Sequence, residues 1–573
     1  MKRFLALPLA IAAITLTVPD DANALVYASR LTKTNQTVGF VLNKAATSGS
    51  VNIVDQAGTV VATKPLVAAE LTKGTHSGVQ LPDISNLASG TYTWSITVGD
   101  SAVTVPTLIT SDSNPPNQFY RPYGLTIDNY FDSPNFGNIY VAQGLGAAAG
   151  TTRRLTTKGV YMMNAACQDY ANQGTTGYQG NVDWIADADS SPNRISVIPN
   201  GNVLITDFKD AHSGLWMFDT INPSNNFSSV FSTSLTRSAT GILSNGSIQV
   251  AGNIGHALYD GEKLFTLDED LVPPSGVKSS LASYDWDGIT PIDFAPTFIY
   301  NNNPQRFYTA DGSLAFDPNE GIWVGLYRGT DANTNPSLVH FKKNINDTYT
   351  MDYNSSGTIG VNYRGAMALT KDGKRVAVTN NGVINIFDID ISGSQPKTSA
   401  NPVYQITAST GSSSYIRSLA FDAAGNLYFA SRVTERLRGY ALPQTATSYS
   451  TPAPSSQASI AVTNAEVTID TGDTGATITD ANGNPLPSYF PKGTTVPIKI
   501  WMAPEFNVVR LLANGNSVVL DRRKQNSAAL INVAAEPAAM ESITYNFVCD
   551  QDNNTLELTA LEVPVTMSEL SIE

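Results

Sequence analysis

The sequence predicts an all-β protein organised around a six-bladed β-propeller, with a small Ig-like β-sandwich before the propeller and a β-sandwich-like module after it. Three features predict this class. One plan of short strands recurs along residues 119–443, long helical periodicity is nearly absent, and each recurrence has a glycine in its first turn. The turn glycines lie 52 to 64 residues apart, at Gly137, Gly201, Gly261, Gly321, Gly373 and Gly425.

The repeated plan is clearest in residues 415–442. A first strand is predicted at 419–421, a turn at 422–425, a second strand at 426–430 and a third at 437–442. The same plan is found upstream, at residues 125–142, 195–207, 257–267, 313–326 and 366–387. Repeats of this length with three or four strands each are typical of propellers rather than solenoids. Radial packing of six such sheets buries their apolar faces and leaves only short edges exposed.

The repeat region resembles the NHL-like six-bladed propellers. In that family an inner strand is followed by Asp-x-x-Gly-Asn and an aromatic-rich second strand, as at Asp422, Gly425, Asn426 and Tyr428 here. The resemblance covers roughly residues 119–443 and implies the fold. It does not imply an activity, because propellers support both enzymes and binding proteins.

Composition and the N-terminus predict an exported bacterial protein. Residues 1–24 have the pattern of a cleaved signal peptide: Lys2 and Arg3, an apolar stretch, and Ala22-Asn23-Ala24 before the cut. No later run is long enough to span a bilayer. The net charge of −14 argues against a general nucleic-acid binder. Export leaves the periplasm, the cell surface and the extracellular medium as alternatives.

The propeller is predicted to occupy residues 112–443, between two other modules. Residues 25–111 read as a small β-sandwich, with a hairpin about residues 55–58 and an alternating strand at 90–98. This order is similar to the Ig-like domain of flagellar-hook-capping proteins, which implies a spacer or assembly role. Residues 444–459 are rich in Pro, Ser, Thr and Ala and predict a flexible tether. Residues 460–573 predict a C-terminal β-module.

The cysteines and histidines of the sequence do not indicate a specific metal site or disulfide framework. Only Cys167 and Cys549 are present, one in the propeller and one in the C-terminal module. Export permits a disulfide between them, but cysteines in separate modules are more often unpaired. The four histidines are scattered and have no zinc-ligand spacing.

Arginine and tyrosine residues recur where the chain enters the inner strands. In a propeller these positions and the loops between second and third strands meet at one end, here called the upper end; the glycine turns form the lower end. Candidate ligand-binding residues at the upper end are Tyr120, Arg121, Arg194, Tyr363, Arg364, Tyr415 and Arg417. The loops between second and third strands add Arg153, Arg154, Lys209, Arg328 and Arg432.

This pattern suits an anionic or hydroxylated ligand such as an acidic glycan or a peptide carboxylate. Arginine offers a planar fork of donors, and tyrosine offers a flat ring for stacking. The structural alternative is that each arginine pairs with an acidic residue of a neighbouring blade and each tyrosine packs between blades.

A metal site is the alternative use of the same end. Asn193, Asn253 and Asp311 precede three successive inner strands and could supply oxygen ligands to Ca²⁺. They faintly resemble the gluconolactonase-type propellers, which hold a divalent metal with a Glu, two Asn and an Asp. Here the first-blade position lies near Tyr123, with no Glu in reach. His256 is either a general base or a packed channel residue.

The sequence therefore favours an exported, non-catalytic recognition protein without a cofactor, which binds a glycan or protein partner at the upper end of the propeller. A metal-dependent lactonase or hydrolase in the channel is the second hypothesis. A structural or assembly role is the third. Ligand identity and oligomeric state are not set by the sequence.

Overall fold

A computed structural model describes the chain from the first sandwich strand to the C-terminal module. The described residues are 26–146, 155–170, 172–182, 184, 191–223, 227–272, 279–300, 312–326, 337–355, 359, 363–380, 382–393, 395–408, 416–445, 447–471, 477–502, 506–514, 516–518, 541–549 and 551–562. The predicted signal peptide lies outside them. No helix within the described ranges is long and apolar enough to cross a bilayer.

Six antiparallel sheets follow one another along the middle of the chain and are the predicted blades. Each begins with the strand closest to the channel, called the inner strand. Their strands are Pro122–Ile127, Ile139–Gln143 and Gly159–Met163 in blade 1; Ile195–Val197, Val203–Asp207, Gly214–Phe218 and Ser228–Ser229 in blade 2; Ile254–Tyr259, Lys263–Asp268, Ser280–Asp285 and Thr297–Tyr300 in blade 3; Ser313–Phe316, Ile322–Gly325, Leu338–Lys343 and Tyr349–Asn354 in blade 4; Tyr363–Leu369, Arg375–Asn380, Val383–Asp390, Lys397–Thr398 and Tyr404–Thr407 in blade 5; and Ile416–Phe421, Leu427–Ser431 and Arg436–Ala441 in blade 6.

The inner strands contact one another in a closed cycle from blade 1 to blade 6 and back to blade 1. This confirms the six-bladed propeller. A small extra sheet between blades 2 and 3 was not predicted; it consists of Thr236–Arg237, Leu243–Asn245 and Ile248–Ala251.

Hydrogen bonds between neighbouring inner strands hold the ring together. The Ser418 hydroxyl of blade 6 donates to the Leu125 carbonyl of blade 1 and accepts from the Leu125 N–H, at 3.1 and 2.9 Å. In blade 4, the Ser313 Oγ accepts from the Met367 N–H of blade 5 at 3.3 Å. Since all of these groups are buried, each bond satisfies a backbone group that water does not reach.

The same interaction recurs between blades 2, 3 and 4. His256 Nδ1 accepts from the Leu314 N–H at 2.8 Å, and the Ser196 hydroxyl donates to the Ala257 carbonyl at 2.6 Å. A polar side chain of one inner strand thus bonds the backbone of the next at four of the six junctions. Between blades 1 and 2 the junction instead has Gly124, where a Cβ would lie 2.4 Å from the Asn193 carbonyl oxygen.

Blade 6 obtains its outer strand from before the propeller. Thr107–Leu108 pairs with Arg436–Ala441, placing Leu108 opposite Tyr440 and Thr107 opposite Ala441. The predicted boundary at residue 111 therefore assigned this strand to the wrong module. Strands from the two ends of the repeat region meet in one sheet, which fastens the ring.

The module before the propeller is a sandwich of two sheets around one core. One sheet has the strands Ala28–Thr34, Thr37–Leu42 and Gly74–Gln80, and the other has Ser48–Val54, Val60–Pro65 and Gly90–Asp100. The predicted hairpin and the strand at 90–98 are both found. Trp94, Ile96 and Val98 alternate into the core with exposures of at most 1%.

The second sheet of the sandwich is completed by chain from after the propeller. Thr447–Pro452 pairs with the strand Gly90–Asp100, with Thr447 opposite Asp100, and Ile460–Val462 pairs with its other half. The Trp94 indole N–H also donates to the Gln457 carbonyl at 2.8 Å. The prediction of a flexible tether at residues 444–459 is therefore wrong, because this segment contains a strand and the short helix Ser455–Ala458.

The sandwich packs against the lower end of blades 1 and 6. Tyr27 and Tyr449 of the sandwich join Phe136 of blade 1 and Ala423 of blade 6 in one buried cluster. The Tyr27 and Phe136 rings meet edge to face with centroids 5.7 Å apart. Two short 3-10 helices, Ala68–Leu71 and Pro115–Asn117, lie in the connecting segments.

The C-terminal module is also built from two sheets, as predicted. One contains Tyr489–Pro491, Asn464–Asp470, Asn553–Glu562, Phe506–Ala513 and Asn516–Val518; the other contains Thr477–Asp480, Thr494–Met502 and Glu541–Cys549. Cys549 is buried in this core and Cys167 in the propeller, and the two do not form a disulfide.

The glycine turns are at the predicted positions, with one variation. Five of the six glycines have positive φ, but in blade 4 it is Glu320 that has a φ of 62°. Gly321 is needed there for space, since a Cβ would lie 2.3 Å from His340 Nε2. His340 is held between two carboxylates, with Nε2 2.9 Å from Asp317 and Nδ1 2.6 Å from Asp352.

We expect Ser418→Ala to destabilise the propeller by about 1–3 kcal/mol, because it leaves the buried N–H and C=O of Leu125 without the hydroxyl. Urea unfolding followed by tryptophan fluorescence measures the change. The exposed Ser234→Ala is the matched control and should change the midpoint little. Equal stability of both variants would contradict the role of the inter-blade bond.

We expect residues 26–104 alone not to fold, because this fragment lacks the two strands that pair with Gly90–Asp100. Joining residues 447–462 to its C-terminus by a short glycine-serine linker should restore cooperative thermal unfolding, measured by circular dichroism. A scrambled version of residues 447–462 is the control. Cooperative unfolding of the unextended fragment at the same temperature would show that these strands are dispensable.

Candidate functional site

A cluster of arginine and tyrosine side chains lies at the upper end of blades 1 and 6. Arg417 and Arg432 both approach the ring of Tyr123, with Cζ atoms 5.5 and 6.0 Å from its centroid. In the segment immediately before Tyr123, the Cζ of Arg121 lies 5.2 Å from the centroid of the Tyr120 ring. These five residues are called the arginine–tyrosine cluster. Guanidinium groups at such distances from a ring are within cation–π range.

The side chain of Gln143 holds the backbone of the cluster at Tyr120. The Gln143 side-chain oxygen accepts from the Tyr120 N–H at 3.0 Å, and its amide nitrogen donates to the Thr156 hydroxyl at 2.8 Å. The next residue, Arg121, has a φ of 49°, a left-handed conformation that costs a non-glycine residue on the order of 1 kcal/mol. The inner strand of blade 1 starts immediately after it and carries the buried Tyr123.

Blade 6 supplies the other half of the cluster. Arg417 is in the inner strand of this blade, and Arg432 follows its second strand. The Phe119 N–H donates to the Glu435 carbonyl at 3.0 Å and so joins the two blades just below the cluster. Tyr123 and Arg417 are buried, whereas Tyr120, Arg121 and Arg432 are partly exposed. The partly exposed groups are the ones that a ligand can reach.

Three of the seven predicted residues belong to the cluster: Tyr120, Arg121 and Arg417. Arg432 was predicted only through its loop, and Tyr123 was missed as part of the site. One sequence feature could have indicated the role of Tyr123: it is an aromatic residue directly after Pro122, at the start of a predicted inner strand. Tyr415 lies outside the described residues. Tyr363 and Arg364 begin the inner strand of blade 5, where only the backbone is described.

Arg194, one of the predicted ligand-binding residues, does not join the cluster. Its side chain is 3% exposed and borders the channel. The physical reason is its position in the blade. Arg194 occupies the place that Ser418 and His256 hold in their blades, the face of the inner strand that is directed toward the next blade.

The described residues of the predicted metal site are arranged as hydrogen-bonding groups. Asn253 is buried, and its amide nitrogen donates to Asp210 Oδ1 at 2.6 Å and to Asp270 Oδ2 at 2.7 Å. Asn193 is also buried, and Asp311 lies outside the described residues. Within the part of the chain that is described, no three His, Cys, Asp or Glu side chains converge as a metal site would need.

Two buried carboxylates end the second strands of blades 2 and 3. Asp268 accepts backbone N–H groups of Gly252 and Leu271, at 2.6 and 2.8 Å, and Asp207 accepts that of Lys209 at 3.3 Å. Burial raises the pKa of Asp268 to about 6 and that of Asp207 to about 7. Both are fully buried, so they organise upper-end loops rather than contact a ligand.

A cavity of about 610 Å³ occupies the channel below this end. All six inner strands line it, and most of the lining side chains are apolar. The His256 imidazole borders it, and burial, together with the Arg194 guanidinium, lowers its pKa to about 3. Because Nδ1 accepts the Leu314 N–H, the ring is neutral and already engaged. Of the two predicted roles of His256, general base or packed channel residue, this arrangement corresponds to the packed channel residue.

No family model and no curated protein matches the chain. Solved structures that resemble it include an auxiliary nutrient binding protein from Bacteroides thetaiotaomicron, 9% identical, covering 74% of this chain and 99% of that one, with a TM-score of 0.35. A gluconolactonase from Xanthomonas campestris is 13% identical, with coverage of 60% and 97% and a TM-score of 0.34. The calcium-binding protein regucalcin from Agrobacterium tumefaciens is 11% identical, with coverage of 59% and 95% and a TM-score of 0.33.

Likenesses at these identities and TM-scores carry no argument about activity. The propeller assignment rests on the six sheets and their closed cycle of inner strands.

We expect Asp207→Asn to become more stable relative to the wild type as the pH rises from about 5 to about 8. The buried Asp207 carboxyl has a raised pKa of about 7, so its stabilising contribution is complete below pH ~4 and is lost as the pH rises through 7. Asparagine stays neutral throughout.

The difference in unfolding free energy should grow by at most about 1.4 kcal/mol per pH unit. Urea titrations at several pH values measure it. The exposed Asp293→Asn is the control and should give a difference that does not follow this course. Parallel pH profiles of Asp207→Asn and wild type would contradict the buried, neutral carboxyl.

Proposed function

We propose that this protein is a non-catalytic recognition protein that binds an anionic ligand, an acidic glycan or a peptide carboxylate, at the arginine–tyrosine cluster. The observation that carries the proposal is the convergence of Arg417 and Arg432 on the ring of Tyr123, next to the Arg121 and Tyr120 pair. The cluster thus contains three guanidinium groups from two blades, in a chain with a net charge of −14.

The chemistry of the cluster suits carboxylates and sulfates. A guanidinium presents parallel N–H donors that match the two oxygens of such a group. Tyr120 adds a partly exposed ring on which a sugar or an aromatic side chain can stack, with a hydroxyl at its tip. Tyr123 and Arg417 are buried and support the exposed groups from below.

Binding is favoured over hydrolysis by the state of the channel groups. His256 is neutral and its Nδ1 accepts a backbone N–H, so it is a poor general base. Asn253 presents its amide nitrogen, not its oxygen, to Asp210 and Asp270. The lactonase hypothesis needs oxygen ligands around a cation, and these contacts do not favour it.

The remaining assignments complete the proposal. Residues 1–24 act as a cleaved signal peptide, and the mature protein is exported. The sandwich that holds the propeller is Ig-like and presents the upper end away from itself, since it covers the lower end of blades 1 and 6.

We expect the double substitution Arg121→Ala with Arg432→Ala to weaken binding to sulfated or uronic-acid glycans at least about tenfold, because two charge-assisted contacts are lost. A glycan array followed by calorimetry on one positive glycan measures the effect. Lys263→Ala with Lys397→Ala removes the same charge elsewhere and should keep binding. Equal losses in both double variants would indicate non-specific charge attraction.

We expect EDTA to leave the melting temperature unchanged and Ca²⁺ addition not to raise it, in contrast to a metal-dependent hydrolase. Differential scanning fluorimetry tests this on the full chain. A melting temperature that falls with EDTA and recovers with Ca²⁺ would favour the lactonase hypothesis.

A further inference from the structure

The channel cavity is a second place where a ligand fits, at the opposite end from the arginine–tyrosine cluster. Its exposed lining residues are Asp132 and Lys371, both at the lower end, whereas the lining residues closest to the upper end, such as Arg194, Ser313 and Ser418, are buried. The described residues therefore place its opening among the glycine turns. A volume of about 610 Å³ is in the range of small-molecule sites.

Most side chains in the walls of this cavity are apolar, and several of the polar ones already form hydrogen bonds. Leu258, Leu314 and Leu419 are among the aliphatic residues that line it. The polar groups at its inner end belong to the inter-blade bonds: the Ser418 hydroxyl serves Leu125, and His256 Nδ1 serves Leu314. A sugar needs many hydrogen-bond partners from the wall, so these walls suit a hydrocarbon chain better than a glycan.

Among the described residues that line the opening, Lys371 is the one cation. Lys371 lies 3.9 Å from the centroid of the Phe131 ring, and its Nζ donates only a long bond of 3.4 Å to the Asn129 carbonyl. An ammonium group has three N–H donors. Among the described residues, no Asp or Glu carboxylate forms an ion pair with it. Lys371 can therefore take an anionic partner without breaking an existing ion pair.

The loop that carries this opening is held in place from three sides. The Asn129 amide donates to the Phe421 carbonyl of blade 6 at 2.8 Å. The Phe131 ring packs on Phe136 with centroids 4.8 Å apart. The Asp132 carboxylate accepts from the Ser455 hydroxyl at 2.9 Å, so it is engaged with the segment after the propeller.

We propose that the channel binds a fatty-acid-like amphiphile, whose hydrocarbon chain lies in the cavity and whose carboxylate pairs with Lys371. The Lys371 ammonium group at the opening and the largely apolar walls behind it select this class of molecule. The proposal is independent of the upper-end ligand, because the two sites share no residue.

Calorimetric titration of the full-length protein with dodecanoate, below its micelle concentration, tests the proposal. We expect one molecule bound per chain, and an affinity that rises with chain length from hexanoate and then levels off when the cavity is full. An affinity that keeps rising with chain length would mean adsorption to an open surface, and no binding would overturn the proposal.

The head-group contact is tested by Lys371→Met, which removes the charge and keeps an aliphatic stem. Dodecanoate should bind at least about tenfold more weakly, whereas the uncharged dodecanol should bind this variant as it binds the wild type. Lys371→Arg should restore dodecanoate binding. Lys374→Met, an exposed lysine in the same turn, is the matched control; an equal loss there would contradict the specific role of Lys371.

The cavity itself is tested by Ala420→Met and, separately, Ala315→Met, two partly exposed lining positions on different blades. Each should reduce dodecanoate and dodecanol binding alike. Binding is compared only for a variant that unfolds at the same midpoint as the wild type. Unchanged binding in such a variant would contradict the placement of the ligand in the channel cavity. The Arg121→Ala, Arg432→Ala protein should bind dodecanoate normally, which separates failure of this site from failure of the upper one.

Discussion

Closure of the ring by buried hydrogen bonds between inner strands is the constraint on which the rest of the structure depends. Ser418, Ser196, His256 and Ser313 each bond the backbone of the following blade. An unsatisfied buried N–H or C=O is costly, so each of these side chains fixes both the spacing and the register of its neighbour. The channel, the arginine–tyrosine cluster and the lower opening all take their positions from that spacing.

These bonds also engage several of the polar side chains that border the channel. Residue types that serve catalysis elsewhere, serine and histidine, are present around it but are committed to holding blades together. Their polar atoms form hydrogen bonds to the backbone of the neighbouring inner strand rather than facing the channel. Most of the remaining side chains that line the channel are apolar.

Much of the propeller was predictable because its signal is local. The first strand, the glycine turn and the second strand follow one another directly along the chain in each repeat, and the strands carry a period-two pattern. The pairing of Thr107–Leu108 with blade 6 was not predictable, because a two-residue strand has no periodicity. Thr447–Pro452 was mistaken for a tether because its serines, threonines and prolines are typical of linkers, and its partner strand is about 350 residues away.

The candidate site was predicted in part for a related reason. Spacing alone brought Arg121, Arg417 and Arg432 to one end, since the repeat fixes which loops meet. The contacts of individual side chains were not predictable, because they depend on which face of an inner strand a residue occupies. Arg194 shares a face with the inter-blade residues, whereas the ring of Tyr123 meets two guanidinium groups. One position in register separates these outcomes.

The neighbouring positions of Gly90–Asp100 and Thr447–Pro452 in one sheet have a consequence for the chain as a whole. The entire propeller is inserted between these two adjacent strands of the sandwich. Blade 6 combines strands from the beginning and the end of the inserted segment, since Thr107–Leu108 pairs with Arg436–Ala441. A protease that nicks a single propeller loop therefore leaves two polypeptides that remain clasped at both the sandwich and the ring. Such a nicked molecule would migrate as two bands in denaturing gels and as one particle in native ones, and the two pieces produced separately are natural partners for reassembly.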